Sequence, residues 1–302
     1  MTSPLISICI PAFQAGRYLP ETLASVRAQR FADWELIVTE DGSRDGTEAV
    51  VAAFARTVPQ PVRYERHAEN RGLPATRNTG IAGARGAWIA LLDADDLWTA
   101  DHLASAAPHL AGAAAGLVHG GSVLFDSESG RDLGVRAPDA RMRADFPRSL
   151  FCGQYVIQPS SVLLRRSLWA EVGGFDPTFR YVEDREMWLR CARAGAGFAY
   201  TGVDSCRYRR HPAALSRHGV AMALASARVF EKNLDWEQLP RRLRRAHAAA
   251  AWAAAGRIAL RQDPRSARGF FGRALRLRTL NPSAAGYWLA ALLLGCARAP
   301  LS

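Results

Sequence analysis

"AWIALLDADDLW", residues 87–98, is an apolar run that ends in three carboxylates, Asp93, Asp95 and Asp96, within four positions. Two like charges about 5 Å apart repel by roughly 3 kcal/mol at an effective dielectric of about 20. A chain that places them so either splays the acids into water or holds them for a cation. The run is strand-length and apolar on both faces, as expected of a strand covered on both sides. Asp93 and Asp95, with Ala94 between them, then leave a strand terminus toward one cavity, which suits a hard divalent cation. Mg2+ or Mn2+ takes few protein oxygens and fills its other positions with phosphates and water. Asp96 stands as a third contact or as the cap of a helix starting near Thr99.

Upstream, strand-like and helix-like periods alternate. "LISICI" (5–10) reads as a buried strand, "YLPETLASVRAQ" (18–29) as a helix with Pro20 in its first turn, and "WELIVTE" (34–40) as a second strand. Asp45 is placed to cap a helix over 46–56. "VRYERH" (62–67), "LPATRNTGIAGA" (73–84) and "AWIALLD" (87–93) continue as strand, helix and strand. This alternation predicts an α/β fold with a mostly parallel sheet and helices on both faces. Downstream the expectation is a polar loop (126–145), a strand within "YVIQPSSVLLRR" (155–166), a helix at 183–194 and short strands near 197–201 and 205–210. From about 216 the chain reads as helix, with breaks near Pro240, Pro264 and Pro282.

The 302 residues suffice for one large α/β domain or two modest ones. Met1 to Pro4 carry no basic cluster, so no signal peptide is expected. The five cysteines are scattered and lack C-x-x-C spacing, which predicts reduced thiols in a cytoplasmic protein without a zinc site. The net charge of +11 sits entirely in residues 240–302, where twelve arginines face one acid, Asp263. No nucleic-acid-binding module accompanies those arginines, which argues against a nucleic-acid partner.

Ligands of open parallel sheets bind beyond the carboxyl ends of the strands. "PAFQAGRY" after the first strand lacks the G-x-G-x-x-G of a dinucleotide fold. It is also too poor in glycine and basic residues for a sugar nucleotidyltransferase. Pro11 and Phe13 lie there, Phe13 either as a flat face for a base or as core. Asp41, after the second strand, either accepts from a ribose or base N–H or caps its own turn.

The segments "SICIPAFQAGRYLPETLASVRAQRFADWELIVTEDGSRDGT", "NRGLPATRNTG", "WIALLDADDLW", "GGFDPTFRYVEDREMWLRCARAGAGF" and "YRRHPAALS" occur in that order. Together they resemble a family 2 glycosyltransferase with the GT-A type nucleotide-diphospho-sugar-binding fold, over roughly residues 5 to 217. The resemblance implies inverting, metal-dependent transfer of a sugar from a nucleotide-diphosphate donor, a UDP-sugar by default, to a glycan or lipid-linked glycan of the cell envelope. It implies a catalytic domain over 1–217, with a donor half to about 125 and an acceptor half beyond it, followed by a basic helical extension over 218–302. Phe13 and Asp41 fall at base-lining positions, Arg77 and Asn78 near the nucleotide, and Asp93, Asp95 and Asp96 at the metal-diphosphate position. Asp184 matches the general base, with Glu183 as its rival, although an acid there also suits a helix N-terminus. His211 matches a position closing over the diphosphate or metal. Gln14, Glu40 and Phe13 stand where Asn, Asp and Tyr are usual, so the resemblance does not set the donor's identity. A catalytically silent nucleotide-sugar-binding protein on this fold would be expected to have lost these acids.

Gln158 and Ser160 are candidate acceptor contacts, and Trp98 and Trp188 are either sugar-stacking or core. The arginines of "YRRH" (208–211) either meet phosphates or lie on a solvated strand. The final apolar run, "SAAGYWLAALLLGCA", is too short to span a bilayer, where about 20 residues are needed. Tyr287 and Trp288 with the upstream arginines suit an anionic membrane surface at the inner face of the cytoplasmic membrane. The alternative is that these helices pack on protein. The oligomeric state is not legible in the sequence.

Overall fold

The computed structural model describes residues 3–112, 114–211, 219–260, 262–277 and 286–289. The chain divides into two units, Met1–His211 and Pro212–Ser302.

The first unit begins β1 (Ile6–Ala12), α1 (Leu19–Arg27), β2 (Trp34–Glu40), α2 (Thr47–Ala55), β3 (Val62–Arg66), α3 (Leu73–Ala82) and β4 (Trp88–Leu91). It continues β5 (Leu97–Trp98), α4 (His102–Leu110), β6 (Ala115–Asp126), β7 (Asp132–Arg136), α5 (Ala140–Ala144) and α6 (Arg148–Phe151). It closes with β8 (Val162–Arg165), α7 (Arg166–Glu171), α8 (Glu183–Arg193) and β9 (Gly197–Arg210). All strands join one sheet in the order β3-β2-β1-β4-β8-β6-β9-β5, with β7 added on β6. The neighbours within β3-β2-β1-β4 are parallel, whereas β8 pairs antiparallel with both β4 and β6. The sheet is thus parallel in its first half and mixed beyond.

Every residue of β1 and β2 is buried, as the unbroken apolar runs require. Ile6, Ile8 and Ile10 pack with Leu36, Val38, Trp88 and Ala90 of the neighbouring strands and with Leu19, Leu23 and Val26 of α1. On the other face, Ser7 donates to buried Glu35 (2.7 Å), and Glu35 also pairs with Arg85 (2.7 Å). A polar group in that position is tolerated only because it is fully partnered.

The first-half elements match the sequence expectation within a few residues. The second half adds the unexpected short helices α6 and α7 and differs further in its strands and in the 126–145 loop. Residues 115–126, where no element is expected, form the twelve-residue strand β6. The polar loop over 126–145 contains β7 and α5. The two short strands near 197–201 and 205–210 are one strand, β9, whose pairing with β6 shifts register between His119 and Ser122. Glycines at 116, 120 and 121 dilute the period-2 signal of β6. They are required there: a Cβ on Gly120 or Gly121 would fall within 2.8 Å of β9 atoms.

The second unit holds α9 (Gly219–Lys232), α10 (Arg241–Ala259) and α11 (Pro264–Leu277) around Trp252 and Phe271. Gly256 lets these helices approach, since a Cβ there would lie 2.6 Å from the Phe271 ring. Pro240 precedes α10 and Pro264 opens α11, at the expected breaks, while Pro282 lies outside the described residues. Of the last apolar run, only the helical residues 286–289 are described. No described helix is long and apolar enough to cross a membrane.

Candidate active site

The strand order reverses between β1 and β4, and such a switch point opens a crevice beyond the carboxyl ends. Pro11 is a buried residue of β1, in register with Thr39. Phe13, just past β1, is 48% exposed and therefore not core. Its loop is fixed to the turn after β2: Gln14 N–H donates to Ser43 Oγ (3.0 Å) and Gly16 N–H to Asp45 (2.8 Å). Asp45 also accepts from Thr47 Oγ1 (2.7 Å), but the capping position of α2 is Gly46.

Asp41 is buried, with both carboxylate oxygens engaged by the protein. They accept from the N–H groups of Arg71 and Gly72 (2.8 Å each) and contact His67 Nδ1 at 2.7 Å. Burial pushes this carboxyl up, but the Arg71 amide, His67 and the Gly72 amide together hold it below the ordinary value. In this geometry Asp41 ties down the 67–72 segment that leads into α3 instead of capping its own turn. Gly42, at φ +81°, makes room for that segment, since a Cβ would lie 2.5 Å from the Glu69 backbone.

The three acids after β4 separate. Asp95 faces outward, its side chain 35% exposed, with Oδ2 at 2.8 Å from His211 Nε2, 116 residues away. Ala94, which is buried, accepts Thr22 Oγ1 at its carbonyl (2.9 Å). Asp93 Oδ1 takes the Arg77 guanidinium at 2.6 Å. Asp96 turns inward, 1% exposed, accepting from Ser160 Oγ (2.6 Å) and Arg209 N–H (2.9 Å). Burial, with Asp95 and Asp93 alongside, pushes its carboxyl well above the ordinary value. Both Asp96 oxygens are thus engaged by the protein, and Asp96 does not cap the helix that follows. The helix it was expected to cap begins later, at His102.

The same contacts correct the acceptor-side expectation for Ser160. Its hydroxyl is fully buried, donating to Asp96 and accepting from Asp93 N–H (3.0 Å). Gln158 is also buried, at 7% exposure. Trp98 and Trp188 are core, their indoles donating to the carbonyls of Ser160 (2.6 Å) and Ile157 (3.3 Å). Arg209 is neither solvated nor free for a phosphate. Its side chain, 4% exposed, donates to Asp95 O (2.6 Å) and Glu21 (2.7 Å).

Helix α3 links this edge to the start of α8. Arg77, 1% exposed, donates to Asp93 and, at 2.5 Å, to Glu183. Asn78 closes on the Phe175 backbone, donating to its carbonyl (2.7 Å) and accepting from its N–H (2.8 Å). The groups by which Arg77 and Asn78 were expected to meet the nucleotide are thus engaged inside the protein. Val182, which precedes α8, has φ +53°, a left-handed conformation costing a β-branched residue roughly 1–2 kcal/mol. It delivers Glu183 and Asp184 into the first turn of α8. Burial lifts Glu183 to about 7 and also raises Asp184, while Arg77 pulls both down. Among the described residues, Asp184 Oδ1 accepts a local bond from Arg185 N–H (2.7 Å).

Residues 7–173 match the family model described as glycosyl transferase family 2. The chain belongs to that family. A putative teichuronic acid biosynthesis glycosyltransferase, TuaG of Bacillus subtilis, is 25% identical over 204 residues, covering 67% of this chain and 77% of the relative. The crystal structure of S. aureus TarS 1–349 in complex with UDP-GlcNAc superposes with a TM-score of 0.70 at 15% identity, covering 95% of this chain and 88% of that one. Mannosyltransferase PcManGT from Pyrobaculum calidifontis, in complex with GDP-Man and Mn2+, gives 0.60 at 21% identity, covering 97% and 87%. At these identities the two structures establish the GT-A type fold.

In this family 2 glycosyltransferase, sequence reasoning passed over three residues that build the site. His67 bridges Asp41 and Thr79 (2.7 and 2.9 Å), Glu21 anchors Arg209, and Tyr18 lies 5.1 Å from the His211 ring. Their partners lie far away in sequence, so no local pattern marks them. Among the described residues, no three His, Cys, Asp or Glu side chains form a metal cluster. The Asp95–His211 pair still suits a hard divalent cation that draws its other ligands from diphosphate oxygens and water.

Proposed function

We propose that this glycosyltransferase moves a sugar from a nucleoside-diphosphate donor, by default a UDP-sugar, to a glycan or lipid-linked glycan hydroxyl with inversion. The observation that carries the reading is the placement of two acids with different environments. Asp95 stands part-exposed beside His211 past β4, while Asp184 opens α8 on a remote segment, within the field of Arg77 and Asp93. Inversion requires attack on the face of the anomeric carbon opposite the leaving diphosphate, so the base must come from a segment other than the donor edge. Asp184 takes the acceptor hydroxyl proton. Phe13 offers its exposed ring to the base, and Asp95 with His211 would hold Mg2+ or Mn2+. The cation supplies charge neutralisation at the departing diphosphate. The complexes of TarS with UDP-GlcNAc and of PcManGT with GDP-Man and Mn2+ support donors of this class.

The test is a panel of UDP-, GDP-, dTDP- and CDP-sugars, scored by nucleoside diphosphate release with glycan and lipid-linked acceptors, with and without Mn2+. Acceptor-dependent, Mn2+-stimulated release from one nucleotide class with an inverted product linkage is expected. Donor binding without release under every acceptor would instead mark a silent binding protein. Release with retention would overturn the assigned base.

The basic unit is proposed to rest on anionic lipid. Arg265, Arg268 and Arg276 share one exposed stripe of α11, turned from the buried Pro264, Ala267, Phe271 and Ala274. The full chain is expected to co-sediment with vesicles containing anionic lipid but not with neutral ones, and the triple Arg→Glu variant to stay in the supernatant. Equal partitioning of the two proteins would sink the membrane role.

A further inference from the structure

Arg77 is buried, yet it touches the two sides of the proposed reaction. Its Nη2 lies 2.6 Å from Asp93 at the donor edge, and its Nη1 lies 2.5 Å from Glu183, 106 residues away and adjacent to Asp184. Its planar face stands 5.3 Å over the Phe175 ring, and Phe175 is itself clamped by the neighbouring Asn78. One turn of α3 therefore carries the end of β4, the Gly-Gly-Phe-Asp turn and the start of α8. We infer that Arg77 is a positioning residue that sets the spacing between the donor-side acid Asp93 and the base Asp184, without contacting the donor. This rests on the roles proposed above for those two acids.

The chemistry of the side chain supports that role. A guanidinium is a rigid fork that fixes two carboxylates at a defined separation, which a lysine ammonium does not. In-line transfer is sensitive to that separation, since a displacement of about 1 Å can cost roughly 10²-fold in rate. The charges that meet here are Arg77 from α3, Asp93 from the end of β4, and Glu183, Asp184 and Arg185 from α8. Burial raises both acids of α8 and Arg77 opposes it, so removing Arg77 lifts them further. Glu183 titrates near 7 in the folded chain, above its unfolded value, so stability falls as pH rises through that window. Without Arg77 the loss extends to higher pH.

Full-length Arg77→Lys, Arg77→Met and Arg77→Met/Glu183→Gln test the role. UDP with Mn2+, titrated by calorimetry, probes the donor side. Affinity within about threefold of the unsubstituted chain is expected, whereas a donor contact would cost about tenfold or more. Thermal stability from about pH 5 to about pH 8 is the second measurement. The deficit of Arg77→Met is expected to grow with pH and to shrink at high pH when Glu183→Gln is added, with Arg77→Lys keeping part of the stability. With the donor that the chain transfers, kcat is expected to fall by about 10²-fold in both single variants at unchanged donor KM.

A loss of UDP–Mn2+ affinity matching that of Asp95→Ala would overturn the inference. So would a stability deficit that is independent of pH and unrelieved by Glu183→Gln. Should no nucleoside diphosphate bind the unsubstituted chain, the donor reading fails and the catalytic spacing role with it, while the stability measurement still tests the tie between Arg77 and Glu183.

Discussion

Asp184→Asn is expected to lower sugar transfer by about 10²–10⁴-fold, the usual worth of a general base. The amide is nearly isosteric and its Oδ1 can still accept from Arg185 N–H, so the start of α8 stays in place. What it loses is the capacity to take the acceptor proton. Donor affinity, read as UDP–Mn2+ binding, is expected to remain. Burial holds Asp184 above the ordinary aspartate value, so the acid limb of the kcat/KM profile should lie above the range of a free aspartate. Below that limb Asp184 is protonated and cannot act, and turnover falls. Glu183 is a poor substitute because it is 6% exposed and its Oε1 is held by Arg77. If Asp184→Asn keeps full rates while Glu183→Gln loses them, the base is Glu183.

Asp95→Ala is expected to abolish the Mn2+-stimulated part of turnover and to lower UDP–Mn2+ affinity. Cation stabilisation of a departing diphosphate is worth several kcal/mol, so a fall of about 10²-fold or more in kcat/KM follows. The structure separates this residue from its neighbours. Asp93 is paired with Arg77, and both oxygens of Asp96 are taken by Ser160 and the Arg209 amide. Asp96→Ala should therefore lower the melting temperature and leave metal dependence in the residual activity. Metal dependence surviving in Asp95→Ala but lost in Asp96→Ala would reverse the assignment.

The first four strands and the helices between them are legible in the sequence because each is a local pattern. Apolar runs such as "WELIVTE" bury both faces whatever they meet, and Pro20 and Pro74 mark helix starts. Strands β6 and β9 are less legible, because glycines break their alternation, and in β6 those glycines allow the close approach of β9. The cluster after β4 was visible as an acidic motif, and the resemblance pointed to Asp184. Sequence spacing did not tell which acids face outward.

Local order along the chain, then, was enough for the α/β class, the strand ends that could carry chemistry and the basic C-terminal segment. Only the folded chain decided which polar groups remain available. Asp41, Asn78, Asp96 and Ser160 are residue types that serve equally well as ligands or as internal ties, and the difference is set by what folding brings beside them. Burial without a partner is costly, so each is held by a partner from elsewhere in the chain: Asp41 by His67, Asn78 by Phe175, and Asp96 by Ser160 and Arg209. Of the acids quoted at the outset, tertiary structure leaves Asp95 outward beside His211, because Asp93 has Arg77 and Asp96 is in the core.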